Sequence, residues 1–80
     1  MSMLTRLKTY VPQKKLWVLT VAYDTIIGVN RTAETMVYRG NEREITNYDE
    51  LDFEDLGCFP PEEYLKERHQ LMVQKWGMKT

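Results

Sequence analysis

The sequence predicts an α+β fold: a small antiparallel β-meander of three to four strands with one C-terminal amphipathic helix packed on one face. Between residues 16 and 46, segments rich in β-branched and aromatic side chains alternate with turn signals, as in a meander. Residues 61–76 instead repeat apolar side chains at helical spacing. Because 80 residues can bury one compact core, we expect a single domain over residues 1–80.

The strongest strand signal is the sequence LWVLTVAY over residues 16–23. Its apolar side chains point to both sides of a strand, with Trp17 and Leu19 on one side and Val18 on the other. Such a strand is central in its sheet, or a helix covers one of its faces and a partner the other. We therefore expect a homodimer or a partner chain on the face that the helix leaves uncovered.

A second strand is predicted further along the chain. A short apolar run over residues 26–29 comes first, and residues 30–33 have the polar composition of a turn. Residues 34–39 then carry β-branched and aromatic side chains, with Met36 and Tyr38 on one face.

Two charged segments fit edge strands. Gly40 and Asn41 predict a two-residue hairpin, because both residue types tolerate positive φ, and the chain returns as a charged edge strand over residues 42–46. Residues 4–9 alternate like a second edge strand, although the spacing of their two leucines also suits one helical turn.

The segment NYDELDFEDLG fits either a helix or a strand. Thr46 or Asn47 would cap a short helix that ends at Gly57. The spacing of Leu51 and Phe53 fits a strand equally well.

The clearest element is the helix over residues 61–76. The sequence PPEE predicts its first turn, because proline suits that turn and acids favour the positive end of the helix dipole. Leu65, Met72 and Trp76 lie within about 40° of one another on the helix. We expect this stripe to pack on large apolar side chains of the first predicted strand, namely Trp17, Leu19 and Val21.

Charge is distributed unevenly along the chain. Residues 42–63 carry nine acidic side chains against Arg43 alone, although the net charge is only −1. Such a segment is stable where it fans out into water or meets a basic surface. The acidic segment favours a small non-enzymatic protein-binding module, such as an adaptor, regulator or inhibitor, that docks on a basic partner surface. Such a module could be a nucleic-acid mimic of phage or mobile-element type. The residues expected to contact the partner are Glu42, Glu44, Asp49, Glu50, Asp52, Glu54 and Asp55.

Two other classes of function stay open. A small oligomeric enzyme would use His69 and Cys58 as a base and a nucleophile. The structural alternative is a packed His69, with one nitrogen bonded to a carboxylate or carbonyl, and a small buried Cys58. Nucleic-acid binding is less favoured, because the isoelectric point is about 5.8 and the acidic segment repels phosphates. It would use basic and aromatic residues of the N-terminal half, namely Lys14, Lys15, Trp17, Tyr23, Arg31, Tyr38 and Arg39.

The sequence predicts neither a cofactor nor a metal. Glycine-rich phosphate loops and a serine nucleophile elbow are missing from it, and one cysteine with one histidine supplies too few ligands for an ordinary zinc site. The longest apolar stretch near the N-terminus suits neither a secretory signal nor a bilayer span. We therefore expect a cytoplasmic protein with no membrane partner.

Overall fold

A computed structural model describes residues 2–24, 31–58 and 60–78, which form an antiparallel sheet and a C-terminal helix. The strands lie in the sheet in chain order. The elements are β1 (Ser2–Val11), β2 (Leu16–Asp24), β3 (Arg31–Gly40), β4 (Ile45–Cys58) and α1 (Glu62–Gly77). The α+β meander with one C-terminal helix is therefore confirmed, and β1 and β4 are its edge strands.

Strand β2 is central because it pairs with β1 on one side and with β3 on the other. The β1–β2 connection is tight, and the backbone N–H of Lys14 donates to the carbonyl of Val11 at 3.1 Å. Lys15 then takes a positive φ of 53°, and its carbonyl accepts the N–H of Gly40 at 3.0 Å. This bond ties the β1–β2 turn to the end of β3.

Two turn predictions are wrong. Residues 31–33 belong to β3, because they pair with β2 from Asp24 to Ala22. The predicted two-residue hairpin is a four-residue connection, since β3 ends at Gly40 and β4 begins at Ile45. Asn41 organises this connection. Its side-chain oxygen accepts the backbone N–H groups of Arg43 and Glu44, and its own N–H donates to the carbonyl of Glu44 at 3.0 Å. The predicted apolar run over residues 26–29 lies outside the described residues.

The segment NYDELDFEDLG is part of strand β4, so the short helix is wrong and the strand alternative is confirmed. Pairing with β3 decides the structure here, because the ladder satisfies backbone groups that a short isolated helix would leave open. The register places Phe53 opposite Met36 and shifts between Val37 and Arg39, where β4 bulges. The ambiguous N-terminal segment is likewise the strand β1.

Helix α1 begins at the predicted prolines and acids, but it packs on the other face of the sheet from the one expected. Leu65 contacts the cluster of Ala22, Ala33 and Leu56, and Met72 contacts the cluster that contains Val18. We call this side of the sheet the helix face. The residues that were expected under the helix instead lie on the opposite side, the open face: Trp17, Leu19 and Val21.

The choice of face follows from side-chain size. On the helix face β2 presents Val18, Thr20 and Ala22, which are fully or almost fully buried. Small side chains allow a helix to approach the sheet closely, whereas a row containing tryptophan and leucine would hold it away. Both faces are apolar, so apolar character alone did not distinguish them.

Gly40 provides a test of the β3–β4 connection. A Cβ atom at this position would lie 2.4 Å from the carbonyl oxygen of Glu44 and 2.7 Å from the Trp17 ring. We expect Gly40→Ala to lower the free energy of unfolding in urea by about 1–3 kcal/mol, because the backbone must shift to remove the overlap.

Gly77→Ala is the matched control, since the nearest atom to its Cβ would be 3.6 Å away. We expect this variant to change the free energy of unfolding by less than about 1 kcal/mol. Equal effects of the two substitutions would contradict the packing described at Gly40.

Candidate functional site

The most polar buried region lies between α1 and the sheet and is centred on His69, which is 6% exposed. Its Nε2 lies 2.8 Å from the hydroxyl of Thr9, and its Nδ1 lies 2.6 Å from the hydroxyl of Thr20. The Thr20 hydroxyl also lies 2.8 Å from that of Thr35. One histidine of α1 is therefore connected by hydrogen bonds to β1, β2 and β3.

A neutral imidazole satisfies this cluster completely. In the Nδ1–H tautomer the imidazole donates to Thr20 and accepts from Thr9, and in the Nε2–H tautomer both bonds reverse. The Thr20 and Thr35 hydroxyls, one donating and the other accepting, complete the cluster in either case. Burial lowers the pKa of His69 below its ordinary value, which favours this neutral form. The expectation of a packed histidine is confirmed, but its partners are threonine hydroxyls and not the carboxylate or carbonyl that we predicted.

Cys58, the other residue of the predicted catalytic pair, lies at the end of β4 and is exposed. The prediction of a small buried side chain is therefore wrong, because Cys58 pairs with Thr32 in the row of Tyr23, on the open face that α1 does not cover. Among the hydrogen bonds of the described residues, none joins Cys58 to His69, whose two ring nitrogens already bond threonines. Within the described ranges, His, Cys, Asp and Glu side chains form no group of three that could hold a metal ion.

Two of the predicted partner-binding acids connect β4 to α1. Glu54 accepts two hydrogen bonds from the guanidinium of Arg68, one of them 2.8 Å long, and these bonds lower the pKa of Glu54. Partial burial tends to raise the pKa of Asp52, but hydrogen bonds from Lys75 and Trp76 outweigh it and lower the pKa. These charged pairs line a groove of about 220 Å³ between β4 and α1.

The other predicted partner-binding acids are exposed to solvent, and one of them, Asp55, also accepts the backbone N–H of Gly57 at 2.9 Å. Among the described residues, no salt bridge involves any of them, and all are exposed. They occupy the 41–44 connection and β4: Glu42, Glu44, Asp49, Glu50 and Asp55. We call these five residues the free acids.

The open face of the sheet is rich in aromatic rings. Tyr10 and Trp17 pair with ring centroids 5.0 Å apart, and the ammonium group of Lys8 lies 4.6 Å from the centroid of a Trp17 ring. Tyr38 is buried and contacts the 71% exposed Tyr48 at a centroid distance of 5.4 Å. Sequence reasoning did not identify Tyr48 as a surface residue, because aromatic side chains in a small protein usually pack inside.

Charges flank these rings on both sides. Arg6 and Lys8 of the edge strand β1 are exposed on one side. On the other side, burial and the neighbouring carboxylates of Glu50 and Asp55 raise the pKa of Glu34 on β3. The open face therefore has a basic side and an acidic side.

The predicted nucleic-acid residues do not form one patch. Lys14 and Lys15 lie in the β1–β2 turn, and Arg39 pairs with Leu16, which belongs to the core cluster under α1. The aromatic residues Trp17, Tyr23 and Tyr38 share the open face. The side chain of Arg31 lies outside the described part of the structure.

No protein-family model, curated protein or solved structure matches this chain. Within the described residues, α1 is too short and too polar to cross a membrane. The structure itself therefore supplies the observations on which function is argued.

The His69 cluster predicts a pH dependence of stability. The imidazole of the unfolded chain protonates near pH 6.5, whereas burial lowers the pKa of the folded protein's His69. Between these two pKa values the unfolded chain binds more protons, so stability falls as the pH is lowered. We expect the urea midpoint to decrease as the pH falls below about 6.5 and this dependence to be lost in His69→Gln.

The carboxylates provide an internal comparison. The lowered pKa values of Asp52 and Glu54 also make stability fall with pH, but only below their ordinary values near 4. On lowering the pH, the effect of His69 therefore begins before that of the two carboxylates. Identical slopes for the wild type and His69→Gln between about pH 6.5 and 5 would contradict the assignment to His69.

Proposed function

We propose that this protein is a small non-enzymatic protein-binding module whose acidic 42–58 region docks on a basic surface of a larger protein. The observation that carries the proposal is the set of free acids, which are exposed and lack a salt bridge within the described residues. Like charges held close together repel one another, and a basic partner surface relieves that repulsion.

The internal ion pairs reduce the number of acids that are available for docking. Asp52 and Glu54 are engaged by Lys75 and Arg68, so a partner's cations would have to compete with bonds already made. The proposal therefore rests on the free acids, above all on Glu44 in the 41–44 connection and on Asp49 in the bulge of β4, where the β3–β4 ladder is interrupted.

Tyr48 supplies the apolar component that a charged surface lacks. Its side chain is 71% exposed, and its ring packs against the buried ring of Tyr38. Exposed aromatic rings beside charged groups are enriched at protein–protein interfaces, where they fill pockets on the partner. We assign Tyr48 as the anchor of the interface and the free acids as its charged surroundings.

The partner is defined by its chemistry. A row of carboxylates attracts the same lysine- and arginine-rich surfaces that bind nucleic-acid phosphates. An adaptor, a regulator and an inhibitor that occupies a nucleic-acid-binding surface all use this recognition. Association would be fast at low salt and would weaken as ionic strength rises.

Neutralising two free acids tests the docking region. The bait Glu44→Gln/Asp49→Asn should capture the partner from lysate of the source cells at least about 10-fold less well than wild type, because two charge contacts are lost. Quantitative mass spectrometry of nuclease-treated eluates at two salt concentrations measures this loss. The wild-type complex should also weaken as salt is added.

The matched control is Glu63→Gln/Glu67→Gln, which removes the same charge from exposed positions of α1. It should retain the partner at the wild-type level. Equal losses of captured partner in the two variants would show that net charge alone causes the effect. Full retention of the partner by Glu44→Gln/Asp49→Asn would exclude the acidic docking region. Binding that nuclease treatment abolishes would instead point to nucleic acid.

A further inference from the structure

The open face has a charge pattern that is complementary to itself. In one row across the sheet, pairing aligns Arg6 of β1, Val21 of β2, Glu34 of β3 and Asp55 of β4. The row therefore begins with a cation, has an apolar residue beside it and ends with two carboxylates. Arg6 and Asp55 are both exposed, and no salt bridge of the described residues involves either of them.

The adjacent row follows the same plan with apolar residues. It aligns Lys8, Leu19, Met36 and Phe53 across the four strands, and Phe53 is 46% exposed. A third row places Tyr10, Trp17 and Tyr38 side by side. Each row thus has a β1 end that carries a cation or a ring and a far end that carries a carboxylate or a ring.

A second copy can be placed face to face with the first by a 180° rotation about an axis parallel to the strands. This rotation puts the β1 end of each row over the far end of the same row in the other copy. Such a two-fold rotation keeps each row in place along the strands and reverses its order, so β1 of one copy lies over β4 of the other. Arg6 then faces Asp55, Lys8 faces the ring of Phe53, and each contact occurs twice. An axis perpendicular to the strands would place β1 over β1 and bring like charges together.

We propose that the open face binds a second copy of this chain, in a two-fold symmetric sandwich with β1 of each protomer over β4 of its partner. The helix face is already covered by α1, and no other helix or strand of the described chain packs on the open face. The charge pattern selects this occupant, because a polyanion would be repelled by the carboxylates at the far end of the face.

The size of the face fits a weak and reversible contact between two copies. Four strands about 4.8 Å apart, each about seven residues long at roughly 3.4 Å per residue, give a face of roughly 19 by 24 Å, and alternate residues of each strand lie on it. Two such faces together cover roughly 900 Å², which lies below the ~1,200 Å² of stable specific interfaces and in the range of weak, reversible contacts. Leu19, Tyr23 and Phe53, which are partly exposed in one copy, supply the apolar contribution, because Val21, Met36 and Tyr38 are already buried there.

Charge reversal tests both the dimer and its geometry with the purified chain alone. We expect sedimentation equilibrium at roughly 100 µM to give twice the 9.6-kDa chain mass for the wild type. Arg6→Glu/Lys8→Glu and Glu34→Lys/Asp55→Lys should each raise the dissociation constant at least about 10-fold, because like charges then meet at both ends of every interface. An equimolar mixture of the two variants should form a heterodimer of near wild-type affinity.

Two controls keep the test independent of folding and of net charge. Circular dichroism reports whether each variant is folded, and recovery in the mixture itself requires folded partners. Lys14→Glu/Lys66→Glu makes the same change in charge as the first variant, away from the open face, and should leave the dimer intact.

A monomeric wild type at roughly 100 µM overturns the proposal. So does a dimer that both reversed variants retain, and a mixture that stays monomeric overturns the β1-over-β4 arrangement. The variants of the capture experiment lie outside the rows of the open face, so their comparison with wild type does not depend on which of these outcomes is found. Failure of the dimer and failure of partner docking are therefore separate results.

Discussion

The hydrogen bonds of His69 to the threonines of the sheet fix the position of α1, and the remaining surfaces follow from that position. A buried imidazole is costly unless both nitrogens are satisfied, and here Thr9 and Thr20 satisfy them from two strands. Rotating or sliding the helix would break both bonds at once. Apolar packing of Leu65 and Met72 supplies the larger part of the stabilisation, but it tolerates small shifts that directional hydrogen bonds do not.

The same position of α1 divides the acidic residues into two groups. With His69 facing the sheet, Arg68 and Lys75 reach the neighbouring edge strand, where Glu54 and Asp52 point toward the helix. Because side chains alternate along a strand, the next residue, Asp55, lies on the other face. Strand geometry therefore makes one acidic segment serve two purposes: some of its charge attaches the helix to the sheet, and the rest stays available to a partner.

Local signals predicted the elements that local chemistry determines. Prolines, acids and a one-sided apolar stripe identified α1, and dense apolar residues identified β2. By contrast, β4 carries the capping residues of a short helix, and only its pairing with β3, a non-local interaction, makes it a strand. The face on which α1 packs was equally undetermined, because β2 is apolar on both sides. Thr20 and Thr35 gave no signal in the sequence, since threonine is common in strands, and their role became visible only beside His69.

The two proposed surfaces are compatible because, of the free acids, Asp55 alone belongs to the rows of the open face, and the other four remain outside the dimer contact. A two-fold axis parallel to the strands leaves the ends of the strands where they are and exchanges the edges. The 41–44 connections of the two protomers would then lie at the same end of the sandwich but on opposite edges. Each dimer would carry two acidic docking regions that face the same direction. A partner with two basic patches at matching separation would bind with an avidity greater than either contact alone provides, because the second contact forms within the complex. Dimerisation would thereby strengthen a recognition that surface charges alone make weak and sensitive to salt.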